Sequence, residues 1–320
     1  MKFKYLIIAF SAIIIIVLLA AIFLPYLITG GQTDLRANFR YITLPLFAVI
    51  VLLLICVSVF FFLNYRLLSL LEREDWPALS CYLEQKIYTK KQYNHRYVRL
   101  LASSYLVMSD FMSVIKLEGK TMLAKPSAVR ENILVFGSAR VLSGKYGEAA
   151  SFFKSYISKS RRKEKDWVRW FYGFSHLLGG AFTSAEPEFS SLAVLSKDAI
   201  VTGLSCYFLF NSVEKHSSKP AECRSISENG RARVLKSLKD IYGWNADVSK
   251  MSADIHIAII KKYIDSAGIW LFNPNALVEV VPESVVETQE RRASDRREGE
   301  RRTSARHSED RRKGDRRNGS

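Results

Sequence analysis

Little in this 320-residue chain points to catalysis or to a cross-linked fold. It has four cysteines, Cys56, Cys81, Cys206 and Cys223, with no C-x-x-C pair and no nearby histidine cluster. That spacing offers neither a zinc site nor a disulfide framework, so reduced, unligated thiols are expected. The five histidines, His95, His176, His216, His256 and His307, are far apart and lack the i, i+4 pairing of a helical metal site. Glycine (16) and proline (8) are sparse, and strand-like alternation is rare. Together these absences exclude a β-rich architecture and leave a mainly helical one. A phosphate-binding loop is also missing. Gly119-Lys120-Thr121 resembles the end of one, but the glycine required five places earlier is Val114. No metal, no cofactor and no enzymatic activity are expected.

Charge is absent from two stretches at the start of the chain, Tyr5 to Ile28 and Tyr41 to Leu63. Each exceeds the roughly 20 apolar residues needed to cross ~30 Å of hydrocarbon, and no later run is long enough. The first also fits a secretory signal, since Lys2 and Lys4 precede it and it passes through Ala20-Ala21. A signal core is usually about 7–15 residues, whereas this run continues to Pro25 and beyond, which favours an uncleaved helix. The sequence therefore predicts a two-helix transmembrane hairpin over residues 1–65, joined by a short connector with Gly30-Gly31 in a tight turn. Lys2 and Lys4 flank one outer end, and Arg66, Arg73, Lys86, Lys90 and Lys91 follow the other, against Arg36 and Arg40 in the connector. That bias places both termini in the cytoplasm of a bacterial-type inner membrane, with membrane lipid as the first partner.

Residues 66–275 carry apolar side chains at three- and four-residue intervals and are expected to be nearly all helix. Within them Gly137, Gly144, Tyr146, Ala149 and Phe153 recur as Gly173, Gly180, Phe182, Ala185 and Phe189, displaced by about 36 residues. Looser copies contain Ala102, Tyr105, Phe111 and Val114, then Trp76, Leu79 and Leu83. The order of small residue, aromatic, alanine and aromatic resembles the tetratricopeptide repeat, a helix-turn-helix unit with a period of about 34 residues. The resemblance covers about residues 66–210, without the proline that closes each repeat in that family. An irregular helical bundle with hairpins of similar length fits the same pattern. In packing terms, Gly137 and Gly173 on first helices and Ala149 and Ala185 on second helices permit close approach. Phe153 and Phe189 fill space toward the next unit.

The resemblance also implies a concave face, made by the first helices, that receives peptides or partner helices. Its phase assigns Arg96, Arg99, Ser103 and Leu106 to that face, then Glu131, Leu134 and Ser138, then Trp167, Trp170 and Phe174. The paired asparagines and lysines of the carboxylate-clamp subset are missing, so an apolar or mixed groove and a protein partner are expected. Trp167, Trp170 and Phe174 equally fit a core stripe covered by the following helices. Farther on, Ala199 to Phe210 reads as a buried helix closing the array, and Lys215 to Gly230 as an exposed loop. Helices follow near Arg231 to Tyr242 and Ala253 to Phe272, the last either capping the array or lying on the inner leaflet.

From Glu290 the chain repeats arginine doublets every five residues, with 11 arginines and one lysine against seven carboxylates in residues 290–320, a net of +5. A five-residue step turns about 140° on a helix and gathers no face, so residues 276–320 read as a disordered linker and basic tail. Arg296, Arg297, Arg311 and Arg312 are candidate contacts for anionic lipid or nucleic acid, since guanidinium binds phosphate oxygens bidentately. Arg292-x-x-x-Arg296 resembles the arginine motif of PilZ domains, but the β-barrel that such a site needs does not follow. The fold class expected is all-α: two transmembrane helices, a tetratricopeptide-like helical repeat domain and a disordered arginine-rich tail. The function expected is a membrane-anchored interaction scaffold or assembly factor. The alternative is a membrane-tethered protein that binds nucleic acid or anionic lipid through its tail.

Overall fold

The computed structural model describes residues 33–161 and 164–273. The first apolar stretch, its connector as far as Gln32 and the arginine-rich tail lie outside the described residues. Among the described residues every regular element is helical.

The chain divides into two compact units, ending and beginning at Gln92 and Tyr93. In the first, helix α1 (Thr33–Glu72) runs for 40 residues. At ~1.5 Å per residue this is ~60 Å, about twice a hydrocarbon core, so the helix passes the expected boundary near residue 65 without a break. It is the one described helix long and apolar enough to cross a membrane; over Ile55–Glu72 only 6% of the residues are buried. Phe62 is 83% exposed and Leu63 68%, unlike the apolar side chains of a core helix. Helix α2 (Trp76–Glu84) follows, started by Asp75, whose carboxylate accepts from the Ala78 amide at 3.1 Å. It ends in one π-helical turn, Gln85–Thr89. Arg66 of α1 lies 5.3 Å from the ring centre of Tyr82 on α2.

The second unit contains α3 (His95–Val107), α4 (Phe111–Ala124), the short α5 (Pro126–Arg130), α6 (Ile133–Leu142), α7 (Tyr146–Tyr156), α8 (Lys165–Leu178), α9 (Phe182–Leu195) and α10 (Ala199–Phe208). The pairs α3/α4, α6/α7 and α8/α9 pack on each other and are each joined by three residues. The α3/α4, α6/α7 and α8/α9 turns share one geometry. Ser109, Gly144 and Gly180 have φ of 58°, 75° and 73°. Their amides donate to Leu106, Val141 and Leu177, and the next amides donate to Tyr105, Arg140 and His176, all at 2.9–3.1 Å. This is the Schellman closure, in which a left-handed residue satisfies the last carbonyls of a helix. In the first unit Glu74, at φ 53°, makes the same two bonds to Leu71 and Leu70. Each turn opens the next helix on an aromatic residue, Trp76, Phe111, Tyr146 or Phe182.

Inside each hairpin the glycines act as expected for close approach. A Cβ on Gly137 would meet the Phe153 ring at 2.0 Å, and one on Gly173 would meet Phe189 at 3.2 Å. Ala149, Ala185, Phe153 and Phe189 are fully buried. Phe153 also stacks on Phe171 of α8, with ring centres 5.5 Å apart, so one ring fills its own hairpin's notch and reaches the next hairpin.

Beyond α10 the chain makes a π-helical turn, Leu209–Val213, and a 3-10 turn, Glu214–His216. The expected loop over 215–230 is instead largely helix: α11 spans Pro220–Leu238, with Pro220 in its first turn. Its buried stripe, Cys223, Ser227, Gly230 and Val234, has helical spacing but is written in small and polar residues that conceal it. A Cβ on Gly230 would meet Cys206 Sγ at 2.4 Å, and the Ser227 hydroxyl donates to the Cys206 carbonyl at 2.8 Å. Then come α12 (Ile241–Met251), α13 (Ile255–Ile259) and α14 (Lys261–Phe272). Trp244 of α12 is buried between α10 and α14, where Cβ atoms on Gly203 and Gly268 would each meet its indole at 2.7 Å. Of the two uses expected for the last helix, capping is the one seen: Ile264, Ala267, Gly268, Trp270 and Leu271 are buried and α14 packs on α10.

Candidate functional site

A cavity of about 220 Å³ opens where several helices begin. Its rim and walls come from Arg99 of α3, Glu131 and Asn132 before α6, Glu164 and Trp167 of α8, Asp198 before α10, and Met251, Asp254 and His256 of the C-terminal segment. Asn132, Glu164, Asp198 and Asp254 immediately precede α6, α8, α10 and α13, and of these Asp198 caps its helix through its side chain. The convergence has a simple origin. In stacked hairpins the first helices start at the same end, so the polar residues at their N-terminal boundaries gather there.

The carboxylates are held differently. Asp198 accepts from the Ile200 amide at 2.9 Å, the Val201 amide at 3.2 Å and Trp167 Nε1 at 3.1 Å, which ties α8 to the start of α10. Glu131 bridges Arg161 at 2.7 Å and His95 Nδ1 at 3.2 Å. Asp254 pairs with Arg99. Asn132 donates to the His95 and Ala128 carbonyls at 3.1 and 2.8 Å, locking α3 to α6. Burial raises the Glu164 carboxyl above its ordinary range, with Arg161 and Arg99 opposing and Asp254 and Glu131 adding. Burial pushes His256 down to about 4, against the nearby Asp254 carboxylate, so its imidazole is neutral at pH 7. Its ring lies 5.5 Å from Trp167 and 6.2 Å from Phe171.

The residues expected to form a partner groove divide sharply. Arg96 and Arg99 are exposed and Ser103 is half-buried, along one face of α3. Leu106, Leu134 and Ser138 are buried, and Glu131 is half-buried. Trp167, Trp170 and Phe174 are 4%, 0% and 2% exposed and are core. Phe208 covers Trp170 and Phe174, His256 covers Trp167, and Tyr263 lies 5.4 Å from Phe174. The open-groove expectation is corrected at these three residues, because α10, α13 and α14 occupy the space that a partner would need. The structure unites Glu131, Leu134, Arg99 and Trp167 at one cavity and leaves Arg96 exposed and Ser103 half-buried on the same helix as Arg99. Arg296, Arg297, Arg311 and Arg312 lie outside the described residues.

Asp198, Asp254, Glu164 and His256 join the site without having been singled out in the sequence. Asp before the apolar runs at Ala199 and Ile255 is a helix-start signal that marks two of them. Nothing local marks the others. The cavity is smaller than the about 300–1,000 Å³ of typical small-molecule sites, and its lining has no serine, threonine or cysteine. It can take one side chain or a few waters. Among the described residues, no group of three or more His, Cys, Asp or Glu side chains is placed to hold a metal ion. All four cysteines are free, with Cys56 and Cys81 exposed and Cys206 and Cys223 buried.

No solved structure matches the chain significantly. A protein of Treponema pallidum (strain Nichols), described as an uncharacterized protein, is 25% identical over 282 residues, covering 85% of this chain and 88% of the relative. Residues 113–273, from α4 to the end of α14, match a family described as uncharacterised Treponema protein, which is half of the chain, and the chain belongs to that family.

Proposed function

We propose that this protein is a membrane-anchored interaction scaffold or assembly factor. On this reading an N-terminal two-helix hairpin, about 5–28 and 41–63, holds it in a bacterial-type inner membrane with both termini cytoplasmic. The helices behind it form a tetratricopeptide-like docking platform. The observation that carries the reading is the single turn geometry recurring at Glu74, Ser109, Gly144 and Gly180, at steps of 35, 35 and 36 residues. Glycine notches filled by Phe153 and Phe189 in two successive hairpins support it further. The outward-facing apolar side chains of α1 support the anchor. Because the chain's own C-terminal helices fill the inner part of the concave face, partner contact is assigned to the α3 face with exposed Arg96 and Arg99 and half-buried Ser103. The cavity beside Arg99 would receive one partner side chain. The role assigned is binding, not catalysis.

Site-specific photo-crosslinkers at Arg96 and Ser103, with Ser151 on the exposed side of α7 as control, test this in intact cells. The expected result is one discrete protein adduct from positions 96 and 103 and none from 151. Adducts that vanish with nuclease would favour nucleic-acid binding instead, and equal labelling at all three positions would defeat the scaffold reading. The topology has its own test: alkaline phosphatase fused after Ser320 should be inactive, and activity there would overturn the hairpin.

A further inference from the structure

The cavity beside Arg99 carries a charge imbalance. Four carboxylates line it, Glu131, Glu164, Asp198 and Asp254, against one arginine. Three of the four are accounted for within the fold. Glu131 is bridged by Arg161 and His95, Asp254 by Arg99, and Asp198 accepts from two amides at the start of α10 and from Trp167 Nε1. Glu164 is left over. It has no hydrogen bond or ion pair to any described residue, and the two arginines that act on it, Arg161 and Arg99, are engaged by Glu131 and Asp254. Burial without a close counter-charge is what raises its carboxyl.

His256 adds an independent observation. It is 6% exposed and lines the cavity, and among the described residues neither ring nitrogen has a hydrogen-bond partner. The nitrogens are not sealed in the way that His176 Nε2 and Trp170 Nε1 are, so they open on the cavity. A buried polar group normally has a partner, and a neutral imidazole offers one acceptor nitrogen. Leu134, Val135, Met251 and Trp167 supply apolar wall, which suits the alkyl stem of a long side chain.

We infer that the cavity binds one organic cation, the ammonium or guanidinium of a partner's lysine or arginine side chain, with Glu164 as counter-ion, the His256 imidazole as acceptor and the apolar wall around the stem. An anion would meet the surplus of carboxylates. A metal ion is not favoured either, since no three ligating side chains converge among the described residues. The inference rests on the scaffold reading above and names the chemistry that its partner presents at this point of contact.

The test needs no partner. The full chain in mild detergent is labelled with 5-fluorotryptophan, and its five tryptophan signals are assigned by single replacements with phenylalanine. The probes are n-butylammonium and n-butylguanidinium, with n-butanol and butyrate as neutral and anionic counterparts. Trp167 reports on the cavity, and Trp244, buried between α10 and α14, is the control. Both cations should shift Trp167 saturably and leave Trp244 in place, and butanol and butyrate should shift neither. Glu164→Gln should weaken the cations by roughly tenfold or more, the loss expected for a hydrogen bond to a charged group. His256→Phe, which keeps an aromatic ring against Trp167 and Phe171, should weaken them in part. An equal shift by butanol, no shift by either cation, or undiminished binding in both variants would overturn the inference. A Trp167 signal that moves without added amine when Arg296, Arg297, Arg311 and Arg312 are replaced by glutamine would put the chain's own tail in the cavity and overturn a partner as the source. Adducts at 96 and 103 with no cation binding would strike this inference alone. Cation binding with no adduct would keep the site and strike the scaffold reading.

Discussion

Gly137 gives the sharpest test of the hairpin packing. Alanine there would place its Cβ 2.0, 2.4 and 2.8 Å from three atoms of the Phe153 ring, well inside contact distance. The ring has nowhere to go: Phe153 is fully buried, stacked on Phe171 and edge-on to Phe152 at 5.6 Å. Overpacking of this kind costs ~1–3 kcal/mol, and the severity of the clash places Gly137→Ala at the upper end. Alanine's better helix propensity returns up to ~1 kcal/mol, for a net loss of about 2 kcal/mol. Gly147 on α7 is the control, since a Cβ there meets nothing within 4 Å and only the propensity gain applies. Gly173→Ala should fall between them, because its nearest contact is 3.2 Å. Urea unfolding of the full chain in mild detergent, followed by tryptophan fluorescence, would rank the three. Phe153→Leu in the Gly137→Ala background should recover part of the loss, with coupling of about 0.5–3 kcal/mol. Equal midpoints for Gly137→Ala and Gly147→Ala would refute the notch.

Acid should weaken the body through His256. Its folded value of about 4 lies below the ordinary 6.5, so the unfolded chain binds the extra proton. Stability is thus complete above pH 6.5 and falls as pH drops toward 4, by up to about 3 kcal/mol. Glu164, raised by burial, opposes this over the lower part of that window, so the comparison is with His256→Phe, whose stability should change less between pH 7 and pH 5. Parallel curves for the two proteins would remove the imidazole from the account. For the tail, replacing Arg296-Arg297 and Arg311-Arg312 by glutamine should weaken binding to polynucleotide or anionic vesicles in part, and raised salt should mimic the change. No loss after both replacements would exclude additive electrostatic binding by the arginine doublets.

The helical class was legible because apolar residues at three- and four-residue steps, with little glycine and proline, leave few alternatives. So was close approach at Gly137 and Gly173, since the same set of residue types recurs 36 positions apart; the sequence set Ala149 and Ala185 against them and sent the phenylalanines to the next unit, whereas the Phe153 and Phe189 rings fill the glycine notches of their own hairpins. The two earlier turns were faint for a physical reason: Glu74 and Ser109 take the left-handed conformation that glycine takes at 144 and 180. A turn closed by a non-glycine residue leaves no mark in the sequence. The first half of helix α11 was read as a loop because its buried face there is cysteine, serine and glycine, chosen to fit between close helices and not for hydropathy. Which face of an aromatic helix is core and which is groove was decided only by what returns to cover it. Trp167, Trp170 and Phe174 have the spacing of either, and what makes them core is Phe208 of α10 together with a segment about 90 residues later, at His256 and Tyr263. The cavity likewise depends on stacking. A polar residue at a helix start can be recognised one at a time from the sequence, but only tertiary packing brings Asn132, Glu164, Asp198 and Asp254 to one end of the helices, beside Arg99.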